Sequence, residues 1–224
     1  MNVKETLRYL GYKGEQADEQ TLLLVEECWR ELEGAAVKRC CFREYPLTFS
    51  DTGAMDLGCF QATSQALSKN LRDCRAVVLF AATLGVLVDS LIRRYSRLEM
   101  SRAVVLQAAA AAMLEDYCDQ VNEELRRDYE KKGLYLRPRF SPGYGDFSLE
   151  CQPALLGALE AGKRVGITLT DGFLMAPSKS VTAVIGVSPI EGIRGGKGCE
   201  SCGKADCVYR RDKGNLQEGS GKRV

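Results

Sequence analysis

The chain has 224 residues, a length that suits one compact domain with a small appendage. Its 31 basic and 30 acidic residues leave a net charge of +1, so it lacks the strong positive charge of a typical nucleic-acid or anionic-membrane binder, and we expect neither as a partner. It has no histidine, which excludes Ser-His and Cys-His catalysis and any histidine-ligated metal.

The N-terminal stretch is predicted to lead into an amphipathic helix. Its first residues, MNVKETLRYLGYKG, contain no apolar run that leads to a small-residue cleavage site, so we expect a cytoplasmic protein. Asp18 is a favourable N-cap for a helix that runs to about Glu33. The predicted buried face of this helix consists of four residues at helical spacing: Leu22, Val25, Trp29 and Leu32.

Strand and helix signals alternate in the next part of the chain. Residues 37–50 have the aromatic and β-branched content of one or two short strands, and residues 63–74 are predicted to form a helix. The apolar run at 75–85, closed by Gly85, is typical of a buried strand. Residues 86–99 return to helical periodicity, which predicts a turn from strand to helix at the glycine.

The longest helix is predicted from Ser101 to about Tyr129, because no Gly or Pro interrupts a stretch dense in Ala, Leu and Glu. The apolar runs at 76–88 and 103–114 are shorter than the roughly 20 residues that cross a bilayer, so we expect both in the core. We therefore predict no membrane segment.

Strands dominate the predicted elements toward the C-terminus. Residues 151–166 have the pattern of a helix, and residues 165–170 and 180–187 have the pattern of strands. Helices that come early and strands that come late indicate an α+β fold, with helices packed on a mainly antiparallel sheet, rather than a doubly wound parallel sheet.

We assign residues 1–194 to this α+β domain, with an N-terminal helical part at about 1–70, and residues 195–224 to a Gly- and Cys-rich segment with a flexible tail.

The Gly- and Cys-rich segment contains a C-x-x-C-x-x-x-x-C pattern, formed by Cys199, Cys202 and Cys207. This spacing can bring three thiolates to one zinc ion or iron–sulfur cluster. A fourth ligand is not evident, although three other cysteines are candidates: Cys40, Cys41 and Cys151. The alternative is three free thiols, and the other seven cysteines are expected to be mainly packing residues.

The loop RPRFSPGYGD, residues 137–146, separates the long helix from the late strands. Pro142 and Gly143 favour a type II β-turn, because proline fixes φ at its second position and glycine accepts positive φ at its third. Arg139 before the turn can grip a carboxylate with its guanidinium, and Tyr144 after it offers an aromatic face. Such a loop suits a small zwitterionic ligand. The residues alone leave open an ordinary Pro-Gly turn with a solvated arginine.

Three blocks of the sequence together resemble one family, the S-adenosylmethionine-binding activation domain of cobalamin-dependent methionine synthase. The first block is an arginine, three residues and then Gly-Tyr, with proline before the glycine, at Arg139 to Tyr144. The second block is LTDGFLMAPSKSV, residues 169–181, and the third is the preceding helix VLQAAAAAMLEDYCDQVNEEL. The resemblance covers about residues 77–190 and implies the fold of that domain.

The resemblance also implies a ligand site. Glu115 takes the place of a helix glutamate that lines the S-adenosylmethionine site, opposite the arginine. The implied cofactor-binding residues are Glu115, Arg139, Ser141, Pro142, Gly143 and Tyr144. This sequence departs from the family at two positions. Gly133 stands where the family has a further glutamate, and Ile193 stands at about the place of the family's ligand-contacting tyrosine.

In the family, the domain presents S-adenosylmethionine to a cobalamin that has decayed to cob(II)alamin, and a one-electron reductant with methyl transfer restores methylcobalamin. The resemblance therefore implies an activation subunit without catalytic residues of its own. This chain has no histidine and so cannot contain the Asp-x-His-x-x-Gly cobalamin signature, which makes a separate cobalamin-bearing methyltransferase the expected partner. A flavodoxin-like or other one-electron reductant is a further expected partner. The alternative function is a cysteine-cluster redox or electron-transfer protein on the same scaffold.

Overall fold

The computed structural model describes residues 1–12, 17–50 and 53–191. These residues form seven helices, α1 (Val3–Tyr9), α2 (Glu19–Ala35), α3 (Gln65–Asn70), α4 (Val86–Leu98), α5 (Met100–Glu130), α6 (Gln152–Leu159) and α7 (Ala161–Arg164). The same ranges form nine strands, β1 (Arg39–Pro46), β2 (Thr48–Phe49), β3 (Met55–Asp56), β4 (Gln61–Ala62), β5 (Ala76–Thr83), β6 (Tyr135–Leu136), β7 (Thr168–Leu169), β8 (Met175–Ala176) and β9 (Ser180–Ser188). These helices and strands confirm the predicted α+β class.

A four-stranded antiparallel sheet in the order β1-β5-β9-β6 is the centre of the molecule. Phe80 in β5 pairs with Phe42 on one side and with Ala183 on the other. Both faces of the sheet are covered, so β5 is apolar along its length. Its residues alternate between two cores, because successive side chains of a strand point to opposite faces. Val78 and Phe80 belong to the first core, and Val77 and Leu79 belong to the second.

Helices α1, α2, α4 and α5 pack around the first core. Helix α5 spans 31 residues, and its alanines at 109, 110 and 112 are fully buried, which lets the helix lie close to its neighbours. Trp29 of α2 donates a hydrogen bond from its indole nitrogen to the Thr6 hydroxyl of α1 over 3.0 Å, inside this core. The second core lies under α3, α6, α7 and the small antiparallel sheet β2-β3-β4.

Several predicted elements are confirmed. Asp18 caps α2 by accepting from the Thr21 amide, and α5 covers the whole predicted long helix. Leu22 is an exception on the predicted buried face of α2: it is 37% exposed, whereas the other three predicted residues are buried. No helix in the described ranges combines the length and apolar character needed to span a bilayer.

Other elements differ from the sequence-based expectation. The predicted helix at 151–166 is divided into α6 and α7, because Glu160 adopts a left-handed conformation with φ of 51°. The predicted strand at 165–170 has only two paired residues, in β7. Residues 1–70, assigned to a helical part, also contain four strands. Strands β1 and β2 lie in the segment 37–50 predicted to form strands, and β1 is an edge of the central sheet, whereas β3 and β4 are not predicted.

Candidate functional site

The loop that carries Arg139 is an extension of the central sheet. The Arg137 amide donates to the Gly186 carbonyl over 2.8 Å, and Phe140 exchanges two hydrogen bonds with Val184 over 2.9 and 2.8 Å. Phe140 packs against the second core. Because neighbouring residues of an extended chain point to opposite faces, Arg139 is directed toward the helices of the first core.

The predicted turn is present at residues 141–144. The Tyr144 amide donates to the Ser141 carbonyl over 3.0 Å, and Gly143 has a φ of 93°, as the third position of a type II turn requires. Tyr144 is 55% exposed, and its ring stands edge-on to Phe140 with the ring centres 5.8 Å apart. The turn therefore leaves an aromatic face accessible close to Arg139.

Asp146 anchors the far end of the loop to α3. Its carboxylate accepts from the Ser64 hydroxyl over 2.5 Å and from the amides of Gln65 and Ala66 over 2.7 and 3.0 Å. The hydroxyl contact, followed by the two amides, lowers the pKa of Asp146 to about 2. Gly145 beside it allows the loop to approach α3, since a Cβ there would lie 2.9 Å from the Ala66 Cβ. Sequence reasoning missed this anchor, because its partners lie far away in the chain.

Arg139 contacts two acidic residues of α5. Its Nη2 atom lies 3.0 Å from the Glu115 carboxylate and 2.8 Å from the Asp119 carboxylate. The side chains are 17% exposed for Arg139, 34% for Glu115 and 66% for Asp119. The Nη1 atom of Arg139 is buried without a hydrogen-bond partner. The structure thus brings the predicted pair Glu115 and Arg139 together, and it adds Asp119.

Asp119 is not among the site residues predicted from the sequence, although its spacing from Glu115 could have indicated it. It lies four residues after Glu115, and side chains at that spacing occupy the same face of a helix. Cys118 lies between Glu115 and Asp119 in the sequence and is fully buried. This burial raises the pKa of its thiol to about 12, so the thiol stays neutral beside the guanidinium of Arg139. The site therefore has one positive and two negative side chains.

Helix α1 flanks the acidic side of the site. The side-chain nitrogen of Asn2, the N-cap residue of α1, donates to the Asp116 carboxylate over 2.8 Å. Burial, followed by the negative charge of Glu115, raises the pKa of Tyr9. An open groove of about 350 Å³ lies between α1 and α5, and Ala111 in its lining precedes Glu115 by one helical turn. The groove is lined by Tyr9, Leu10, Val104, Gln107, Ala108 and Ala111.

The second resembling block forms a hairpin of β7 and β8 followed by the start of β9. The Ser178 amide and hydroxyl each donate to the Asp89 carboxylate over 2.7 Å, which ties the end of the hairpin to the first turn of α4. The block therefore contributes a structural link between the sheet and α4.

One of the two departures from the family pattern has a structural role here. Gly133 follows the end of α5 with a φ of 69°, and its amide donates to the Glu130 carbonyl over 2.9 Å. A glutamate in this conformation would be strained, so the glycine serves to end the helix. Ile193 lies outside the described residues.

The predicted metal ligands Cys199, Cys202 and Cys207 also lie outside the described residues, so that site stays a prediction. Within the described ranges, no group of three or more Cys, Asp or Glu residues is arranged to hold a metal ion. Four of the seven other cysteines are buried as packing residues, whereas Cys59 is exposed.

Neither a protein-family model nor a curated protein matches the chain. Among solved structures, it is similar to the crystal structure of the MetH reactivation domain bound to AdoHcy, with a TM-score of 0.58 and 15% sequence identity. The similarity covers 84% of this chain and 74% of that one. The chain therefore has the fold of the MetH reactivation domain, as the activation-domain resemblance predicts.

Proposed function

We propose that the chain is a cytoplasmic S-adenosylmethionine-binding activation subunit. In this role it supports the reductive remethylation of cobalamin on a separate methionine synthase or related corrinoid methyltransferase. The observation that carries the proposal is the pairing of Arg139 with Glu115, 3.0 Å apart, in a fold whose solved example binds AdoHcy. AdoHcy is S-adenosylmethionine without its donated methyl group, so one site suits both molecules.

The side chains of the site match the charges of the ligand. S-adenosylmethionine carries a carboxylate, an ammonium and a sulfonium, and the guanidinium of Arg139 can bind the carboxylate with two parallel hydrogen bonds. Glu115 then attracts the ammonium and sulfonium. Each charge-assisted hydrogen bond stabilises the complex by about 1.5–3 kcal/mol. The buried and unpartnered Nη1 atom of Arg139 is a donor that a ligand carboxylate would satisfy after a small movement of the side chain.

The turn supplies contacts for the nucleoside half of the ligand. In the proposal, the backbone of Ser141, Pro142 and Gly143 faces the ribose, and the exposed ring of Tyr144 packs against the base. Asp146 and the sheet pairing of Phe140 hold both ends of the loop, which lowers the entropic cost of ordering it around a ligand.

The partner assignment follows from what this chain contains. Cobalamin is supplied by the proposed partner, because the chain has no histidine for the Asp-x-His-x-x-Gly signature. Cobalamin bound to the partner would supply the methyl acceptor, and an external one-electron reductant, flavodoxin-like or otherwise, would supply the electron. The share of this chain is to bind and orient the methyl donor.

Isothermal calorimetry with S-adenosylmethionine tests the proposal. We expect the native protein to bind, Arg139→Ala to lose binding, and Arg139→Lys to bind more weakly, because a lysine offers a point charge without the planar fork. Arg43→Ala is the matched control: Arg43 pairs with Glu160 at an exposed site and should leave binding unchanged. Absence of binding to the native protein, or equal binding by native protein and Arg139→Ala, would refute the proposed function.

A further inference from the structure

Arg139 has two acidic partners, and the proposed ligand needs only one of them. Both carboxylates contact the same nitrogen, Nη2, at 3.0 Å for Glu115 and 2.8 Å for Asp119. A guanidinium offers its strongest grip when two of its nitrogens face the two oxygens of one carboxylate. That arrangement is unused in this structure, since Nη1 is buried without a partner.

The two acids differ in how easily they can leave. The Asp119 side chain is 66% exposed, whereas the Glu115 side chain is 34% exposed. An exposed carboxylate that breaks an ion pair is solvated by water at once, so its release costs little. A half-buried carboxylate loses more on separation, because water reaches it less well. Asp119 is therefore the acid that an incoming carboxylate replaces more easily.

We propose that Asp119 is a displaceable counter-ion that occupies Arg139 in the ligand-free protein and gives way to the carboxylate of the ligand. This inference rests on the proposed function, and it adds a residue that sets the affinity and selectivity of the site. A competitor within the protein weakens binding, because the apparent dissociation constant is the intrinsic one divided by the fraction of molecules in which the arginine is free. The competition acts only on ligands that have a carboxylate.

Two ligands and two variants test this inference. Asp119→Asn removes the charge and keeps the size of the side chain, so the dissociation constant for S-adenosylmethionine should fall about two- to fivefold, the range expected for loss of an exposed ion pair. Decarboxylated S-adenosylmethionine has no group that competes with Asp119, and the variant should not bind it more tightly than the native protein does. Asp128→Asn is the control, because it removes the same charge from the same helix at an exposed position paired with Lys131.

The outcomes separate the inference from the proposed function. If the native protein binds S-adenosylmethionine and Asp119→Asn binds it with equal or lower affinity, the inference is wrong and the proposed function stands. A tighter affinity that extends equally to the decarboxylated ligand also overturns the inference, since the gain would not involve the carboxylate. If the native protein does not bind S-adenosylmethionine, the proposed function fails, and the inference that rests on it fails as well. If neither protein binds either ligand, both proposals fail.

Discussion

Two ionisable side chains of the site loop, Arg139 and Asp146, are held by different helices. Arg139 at one end contacts α5, and Asp146 at the other end contacts the N-terminus of α3. The exposed turn between them is thus fixed at both ends while its centre stays accessible. The pair formed by Arg139 and Glu115 was predictable because both residues belong to blocks that resemble one family. The role of Asp146 was not, because Ser64 lies 82 residues earlier in the chain.

Asp146 should make the stability of the protein depend on pH. Its folded pKa of about 2 lies below the ordinary value of 3.8, so its contribution is complete above about pH 4 and is lost as the pH falls toward 2. Asp146→Asn should therefore lower the melting temperature at about pH 6, and the difference from the native protein should shrink below about pH 3. Thermal unfolding followed by circular dichroism measures both. Asp171→Asn, at an exposed turn, is the control. A difference that is equal at both pH values would contradict this assignment.

Short elements are where sequence and structure differ most. The Pro-Gly turn was predicted because its two residues restrict φ in a specific way. Helix α1 and the break between α6 and α7 carry no comparable local signal: seven residues are too few to establish a period, and Glu160 is not a residue that favours positive φ. Both depend on tertiary contacts, which a single sequence does not reveal.

Gly145 should be required for the loop to reach α3. An alanine there has an unfavourable φ of 54°, and its Cβ would lie 2.9 Å from the Ala66 Cβ, so the loop must move away from the helix. We expect Gly145→Ala to lower the free energy of unfolding by about 1–3 kcal/mol and to weaken the proposed binding of S-adenosylmethionine. Urea denaturation and calorimetry measure the two effects. Gly172→Ala has open space at its Cβ and should leave both unchanged. Native-like stability of Gly145→Ala would show that the approach to α3 is not required.

Thr6 should stabilise the packing of α1 against α2. The fully buried Thr6 hydroxyl accepts from the Trp29 indole nitrogen over 3.0 Å, and valine would leave that donor buried without a partner. Thr6→Val should therefore lower the free energy of unfolding by about 1–3 kcal/mol, measured by urea denaturation. Thr48→Val, at an exposed strand position, is the matched control. If the two substitutions have the same effect, the buried hydrogen bond does not contribute as argued.

At the scale of the whole molecule, the sheet is a partition between two cores. Early helices and late strands were enough to predict the α+β class, because composition and periodicity report the type of each element. The strand order β1-β5-β9-β6 was not predictable in this way, since β5 and β9 begin 104 residues apart in the chain (Ala76 and Ser180) and pair only through tertiary packing. The same order brings the loop of Arg139 beside α5, so the site depends on the complete sheet.

Gly186 lies in β9, where Cys74 and Leu71 of the second core approach the strand closely. A Cβ there would lie 2.5 Å from the Cys74 sulfur and 2.8 Å from a methyl carbon of Leu71, so Gly186→Ala forces these side chains to shift. Overpacking of this kind typically lowers the free energy of unfolding by about 1–3 kcal/mol.

Gly157→Ala is the opposite case, because this glycine lies within α6 and has open space at its Cβ. Alanine there should raise the free energy of unfolding by about 0.5–1 kcal/mol. Urea denaturation of both variants checks the contrast. If Gly186→Ala has the same free energy of unfolding as the native protein, the second core is loosely packed at β9. Since the Arg137 amide donates to the Gly186 carbonyl, a shift of β9 in Gly186→Ala should also displace the loop of Arg139 and weaken the proposed binding of S-adenosylmethionine.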